Sequence, residues 1–190
     1  MAKVGTRASD SNRLDANAWT DGALLLLAEE GIDGVRVEVL AKRLGVTKGS
    51  FYWHFKDRRA LYDAMLSHWR RQATLALIER LDRGEATARE RLVRLLRLPV
   101  VGSRSSSAAE VELAIRLWGR RDEAARATLE EVDSLRLAYI QQLLVEMGRD
   151  AAQARASAVL AYSYIRVAAT LIRKDDEELM ESCENILFGV

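Results

Sequence analysis

Apolar residues recur at helical spacing along almost the whole chain, and across 190 residues a single proline, Pro99, interrupts them. Runs rich in Ala, Leu, Glu and Arg, the strong helix formers, fill the intervals. No convincing strand stands out, and nothing repeats at a period of about 20–50 residues. The fold class is therefore all-α. Helix-starting and helix-stopping residues set the boundaries. A first helix runs from about Asp15 to Glu30, with Trp19, Ala23, Leu26 and Leu27 on one face and Gly31 at its end. A short second helix spans about Val37 to Leu44, and Thr47 is placed to cap a third with its side-chain oxygen. Asp57 caps a long fourth that Gly84 closes. Thr87 with Glu90 forms a capping box for a helix that should stop before Pro99. "PVVGSRSSS" reads as a loop, and Ser107 with Glu110 as a second capping box. Asp122, Asp150 and Asp175 then cap the last three helices, giving nine.

The totals narrow the setting. Half of the residues are apolar and 30% charged, a globular balance rather than a disordered one. The longest pure apolar run, "ALLLLA" from Ala23, is far too short to cross a bilayer. The first residues have neither the apolar core nor the cleavage pattern of a signal peptide. The one cysteine, Cys183, has no partner for an internal disulfide, so a cytoplasmic location is expected. Catalysis finds no support: there is no Ser/His/Asp order, no Gly-rich phosphate loop, and only two histidines, His54 and His68. No metal or cofactor is expected.

Charge is concentrated. Between Arg36 and Arg59 there are seven basic residues against two acidic ones, while the whole chain nets only +1. The arginines at 89, 91, 94 and 97 read as a solvated face; the basic cluster does not, because it surrounds "GVTKGSFYWHF", Gly45 to Phe55, in a chain with only 6% aromatic residues. The run "VEVLAKRLGVTKGSFYWHF" has the build of a helix-turn-helix. Ala41 allows the two helices to approach, Gly45 takes a backbone conformation that bulkier residues resist, and Leu40, Val46 and Phe51 fill the corner. Phe51 and Phe55, four apart, share the inward face. Lys48, Ser50, Tyr52 and Trp53 then point partly elsewhere, with His54 at the helix end. These are side chains that suit phosphate oxygens and base edges.

"LAKRLGVTKGSFYWHF" followed by "DRRALYDAM", with the Trp19–Ala23–Leu27–Gly31 pattern before it, resembles the N-terminal domain of the tetracycline-repressor (TetR) family of bacterial transcription regulators. The likeness covers roughly residues 10 to 70, and the "FYWHF" ending is its most specific part. It implies a flexible arm (1–14), a helix-turn-helix DNA-binding domain (15–60) and a helical regulatory and dimerisation domain (61–190). By position it implies that Thr47, Lys48, Gly49, Ser50, Tyr52, Trp53, His54 and Arg58 face double-stranded DNA, with Lys56 as an added contact. Lys48, Gly49, Ser50 and Tyr52 form the base-edge set. Three positions depart from the family pattern. Arg36 replaces a frequent capping Thr, Arg59 a frequent acidic residue, and Glu38 a basic residue that some members send to a base.

A short recognition helix makes few contacts, so doubling through a two-fold dimer on a palindromic operator is the expected remedy. The last two helices are the candidate interface, through Ala154, Ala158, Ala161 and Ala168 and the stripe Leu179, Cys183, Ile186 and Leu187. The alternative is that these stripes complete the monomer core. The resemblance also implies a small-molecule effector in the C-terminal part. Candidate lining residues are Met65, His68, Trp69, Trp118, Tyr139, Tyr162, Ile165 and Arg166. An aromatic lining would suit an apolar effector, whereas Arg116 or Arg166 turned inward would admit an anion. A helical protein-binding adaptor without specific DNA binding is the competing function; within the regulator reading, a repressor is the expectation.

Overall fold

A computed structural model describes residues 15–101 and 105–188; the expected arm, 1–14, lies outside them. All regular structure among the described residues is helical. The elements are α1 (Ala16–Glu30), a 3₁₀ turn (Ile32–Gly34), α2 (Val37–Arg43), α3 (Lys48–Phe51), α4 (Arg58–Arg70), a π-helical turn (Arg71–Leu75) and α5 (Ala76–Asp82). They are followed by α6 (Ala88–Val101), α7 (Ser105–Gly119), α8 (Glu123–Glu146), α9 (Ala151–Leu171) and α10 (Glu177–Phe188). Because α4, the π turn and α5 follow without a break, the described residues form nine helical rods.

Side-chain caps explain most of the boundaries. Asp15, Asp57 and Asp122 accept from the amides three residues on, at 2.8, 2.8 and 3.0 Å, and Asp150 accepts from Ala152 and Gln153. Thr87 and Glu90 bond reciprocally, as a capping box requires. Four expectations fail locally. Thr47 occupies the cap of α3, but its side chain makes no capping bond; its carbonyl receives the Ser50 amide instead. α6 runs through Pro99 to Val101, because Leu96 and Val100 remain buried on its inner face and the amide bond lost at proline falls in the last turn. Ser107 lies inside α7, which starts at Ser105, so it cannot open a capping box with Glu110. Asp176, not Asp175, caps α10 by accepting from the Leu179 amide; Asp175 pairs with Arg173.

Packing divides into two main cores. The first joins α1 to α4 with α7 and the first half of α8, around Trp19, Phe51, Met65, Trp69, Ile115 and Val132. Gly22 lets α1 and α2 meet closely, since a Cβ there would lie 3.2 Å from both Leu40 and Leu44. The second core joins α5, α6, the rest of α8, α9 and α10, around Leu92, Leu96, Ile140, Leu143 and Ala158. On α8 the two meet between Val132 and Tyr139, where Asp133 and Arg136 stand. The solvated arginine face expected on α6 is interrupted as well. Arg91 bridges Asp82 and Glu146, and Arg97 bridges Glu177 and Glu184 at 2.5 Å, so both tie helices together. These two guanidiniums sit half-buried above the core, where a carboxylate partner offsets their lost hydration.

Candidate nucleic-acid interface

The helix-turn-helix begins with α2 packed on α1. The turn after it is a Schellman motif: the Val46 amide donates to Ala41 O at 3.0 Å and the Gly45 amide to Lys42 O at 3.2 Å. Gly45 has φ +69, the left-handed region that a side chain resists. The corner is filled as its sequence pattern requires, with Leu40 and Phe51 fully buried, Ala41 at 4% and Val46 half-buried. Phe51 meets Trp19 edge-on at 5.4 Å and lies 5.4 Å from Phe55. α3 itself is a single turn. Its rigidity comes from this aromatic anchor rather than from its own hydrogen bonds.

What the anchor leaves outside is the candidate interface. Tyr52 is 58% exposed and Trp53 75%, while Thr47, Lys48, Gly49 and Lys56 are exposed and Ser50 and His54 half-buried. Tyr52 is not loose, for its ring stands edge-on to Phe51 at 5.2 Å. Lys48 is paired with Glu38 of α2, which holds the Glu38 carboxyl below its ordinary range and raises the Lys48 ammonium. Arg58 is exposed but engaged: its Nη2 donates to Ile32 O at 3.0 Å and its guanidinium lies 5.1 Å from the Tyr62 ring. Arg59 turns away to Asp122 at 2.8 Å, tying α4 to the cap of α8. Arg43 is committed to Glu29 of α1, Nη2 to Oε1 at 2.6 Å. The segment 47–58 therefore presents donors and aromatic rings, but its lysine must exchange a carboxylate for any new partner. The Glu38–Lys48 pair was not expected from the sequence; ten residues and a turn separate its members, and only the helix crossing brings them together.

The other candidate sets scatter. Met65 and Trp69 are buried in the first core, and Trp118 packs edge-on against Tyr62 at 5.2 Å. His68 bonds Asp21 at 2.9 Å. Tyr139 belongs to the second core and donates to Asp82 at 2.7 Å; burial, with that carboxylate, pushes its phenol up to about 12. Ile165 packs half-buried on the same core. Tyr162 and Arg166 come together in a charged layer with Glu112, Arg116, Asp133 and Arg136, and the last of these lies 5.8 Å from the Trp69 ring. The concavity of about 430 Å³ between Leu77, Arg80, Leu81, Arg94 and Leu98 touches none of the eight. In the dimer set, Ala154, Ala158, Ala161 and Ala168 are all buried within the chain, at 2% or less. They face the monomer's own core because small residues let α9 lie close on α6 and α8, so they are not available to a second copy. α9 instead exposes Val159, Leu160, Val167 and Leu171, while on α10 Leu179 and Ile186 are exposed and Cys183 and Leu187 half-buried.

Comparison with known proteins bears on the first of these regions. Residues 20–65 match the family model for bacterial regulatory proteins of the tetR family. The tetracycline repressor protein class D of Escherichia coli is 47% identical over 53 residues, which cover 28% of this chain and 24% of that protein. The chain thus aligns with only about a quarter of that relative's length. Whole-chain likeness appears in solved structures. A transcriptional regulator of Rhodococcus sp. Rha1 superposes with a TM-score of 0.71 at 20% identity, covering 93% of this chain and 95% of the other. AibR, solved with isovaleryl coenzyme A and operator DNA, gives 0.64 at 17% identity, covering 91% and 97%. At such identities the likeness establishes the fold.

Proposed function

From an N-terminal segment, residues 20–65, that belongs to the tetR family of bacterial regulatory proteins, we propose that this chain is a sequence-specific DNA-binding transcription regulator. One observation carries the reading: the rings of "FYWHF" are divided, with Phe51 and Phe55 buried and Tyr52 and Trp53 turned out beside Lys48, Gly49 and Ser50. Exposed Tyr and Trp rings combine apolar area with a polar tip, which suits contact with a partner. Donors interleaved with rings fit a phosphate backbone and a groove. Gly49 adds to the argument, since a Cβ there would meet nothing nearer than Thr47 Oγ1 at 3.7 Å. Packing does not require glycine at this position, whereas close approach of a DNA edge does. Lys48, Gly49, Ser50 and Tyr52 are the base-edge set. Thr47, Trp53, His54, Lys56 and Arg58 set the register on the backbone.

Residues 15–60 form the DNA-binding unit and 61–190 the regulatory and dimerising body. Two copies pair through the exposed apolar stripe of α9 and α10, Val159, Leu160, Val167, Leu171 and Ile186. A row of that length left in water favours association. A two-fold dimer reads a palindrome with half-sites about one helical turn, roughly 34–36 Å, or a multiple apart. A small-molecule effector that favours one spacing of the two DNA-binding units over another releases the operator, making the protein a repressor acting in the cytoplasm, at the nucleoid. Among the described residues no helix is long and apolar enough to cross a membrane. Selection of duplexes from a random pool by the purified chain at physiological salt tests the proposal. Enrichment of one palindrome supports it; weak, salt-sensitive binding without enrichment overturns it.

A further inference from the structure

Between the two apolar cores lies a layer of charge that the fold alone does not require. Glu112 of α7, only 7% exposed, accepts from three guanidiniums: Arg116 at 3.1 Å, Arg136 at 2.8 Å, and Arg166. Asp133 accepts from Arg116 Nη2 and from the Tyr162 hydroxyl, each at 2.6 Å. Replacing such a network with apolar side chains is often neutral or stabilising, so stability gives no reason for its presence here.

The balance within the layer is unequal. Three guanidiniums face two carboxylates, an excess of one positive charge. Donors also outnumber acceptors: Arg116 Nε is buried and meets no acceptor. Burial acts to raise the Glu112 pKa, yet Arg136 and Arg166 hold it below the ordinary carboxyl range, so the residue stays anionic. The layer is sealed toward the cores but not on every side, since the side chains of Arg116, Arg166 and Asp133 remain 31, 27 and 30% exposed. The Trp69 ring, buried in the first core, lies 5.8 Å from the Arg136 guanidinium and helps to hold it in place.

We propose that this layer is the effector site, and that it takes the carboxylate of a small organic acid. The inference rests on the reading of residues 61–190 as an effector-responsive body and adds the chemical class of the effector. Glu112 already occupies a carboxylate seat. A second carboxylate, entering past Arg166, shares the guanidiniums with it, takes up unused N–H donors and brings the layer to neutrality. The consequence reaches the DNA-binding end through the rod of α4 and the π turn. Arg136 also donates to Ala73 O at 3.2 Å and to Thr74 Oγ1 at 3.1 Å, within the π turn of the rod that starts at the Asp57 cap behind the helix-turn-helix. Redistributing the bonds of Arg136 therefore pulls on that rod.

The test is calorimetric titration of the full chain with benzoate and with hexanoate, each against its primary amide. Wild type, Glu112→Gln and Arg166→Gln are compared, with circular dichroism confirming that each is folded. The acids should bind saturably and the amides should not. Glu112→Gln should bind about ten-fold more tightly, because it removes the competing charge, and Arg166→Gln about ten-fold more weakly. Acids binding no better than amides to the folded wild type would overturn the proposal. So would an unchanged affinity in folded Arg166→Gln. Should Glu112→Gln not fold, the acid-against-amide comparison and Arg166→Gln decide alone. Because titration needs no DNA, the two readings fail separately: an enriched palindrome with no acid binding removes only the effector class, and acid binding with no enriched duplex removes only the DNA function.

Discussion

Single side chains divide the labour within "FYWHF", and each side of that division can be tested. Tyr52 is more than half exposed, so Tyr52→Ala should weaken binding to the selected operator while the circular dichroism spectrum keeps its helical signal. Loss of helicity would instead assign the ring to the core. Lys48→Ala should cost about 1–3 kcal/mol of operator affinity and relax base choice at one position, if Lys48 bonds a base edge. Glu38 modulates that contact. In competing for the Lys48 ammonium and repelling phosphate it holds affinity down, so Glu38→Gln should tighten binding measured by fluorescence anisotropy. In the Lys48→Ala background the same change should gain less, because the competition is gone.

At the scale of elements, turns and crossings carry the constraint. Gly45 terminates α2 in the left-handed region, where an alanine costs about 1–2 kcal/mol. Gly45→Ala should lower the unfolding free energy by that amount, seen as a lower urea midpoint at an unchanged slope, because the same surface is exposed on unfolding. Gly119, where α7 turns into α8, is more demanding. A Cβ there would lie 2.7 Å from Leu129 Cδ1 and 3.3 Å from the Arg126 backbone, so Gly119→Ala must displace a buried leucine. Its thermal midpoint should fall, and by less when the change is made in a Leu129→Ala background, where the clash is gone. The caps were legible from the sequence because an Asp or Thr acts on amides two or three residues away. Pro99 misled because its penalty is local and small near a helix end, whereas the inward packing of Leu96 and Val100 is not local.

For the whole molecule the charged layer contributes the buried part of the pH response. Glu112 and Asp133 titrate below their ordinary values of 4.5 and 3.8, so their ionised forms favour the folded state. That contribution is complete above the ordinary carboxyl range and is lost as pH falls through it toward the lowered folded values. The thermal midpoint should therefore drop steeply on acidification below about pH 5. Glu112→Gln should be less stable at neutral pH, with buried guanidiniums left short of a partner, and its midpoint should fall less steeply in acid. An identical acid slope in the two proteins would show that the layer is not what titrates.

The sequence by itself determined the all-helical class, the caps at Asp57, Thr87, Asp122 and Asp150, the helix-turn-helix with its buried Phe51 and Phe55, and the exposed residues beside them. All of these follow from spacings of a few residues, over which backbone geometry fixes where a side chain points. Only the tertiary structure decided what faces across. The alanines of α9 have the same spacing whether they meet a second copy or their own core, and the crossing with α6 and α8 turned them inward. Glu112 follows Val111, about 100° away from it around the helix, so the sequence pattern does not mark it as buried, and the structure does. One partner, Arg116, stands four residues on along α7, but the other two, Arg136 and Arg166, come from α8 and α9, 24 and 54 positions away in the sequence, and no local pattern names those. A buried charge must find its counter-charge wherever the chain returns, and that return is settled by the packing of whole helices.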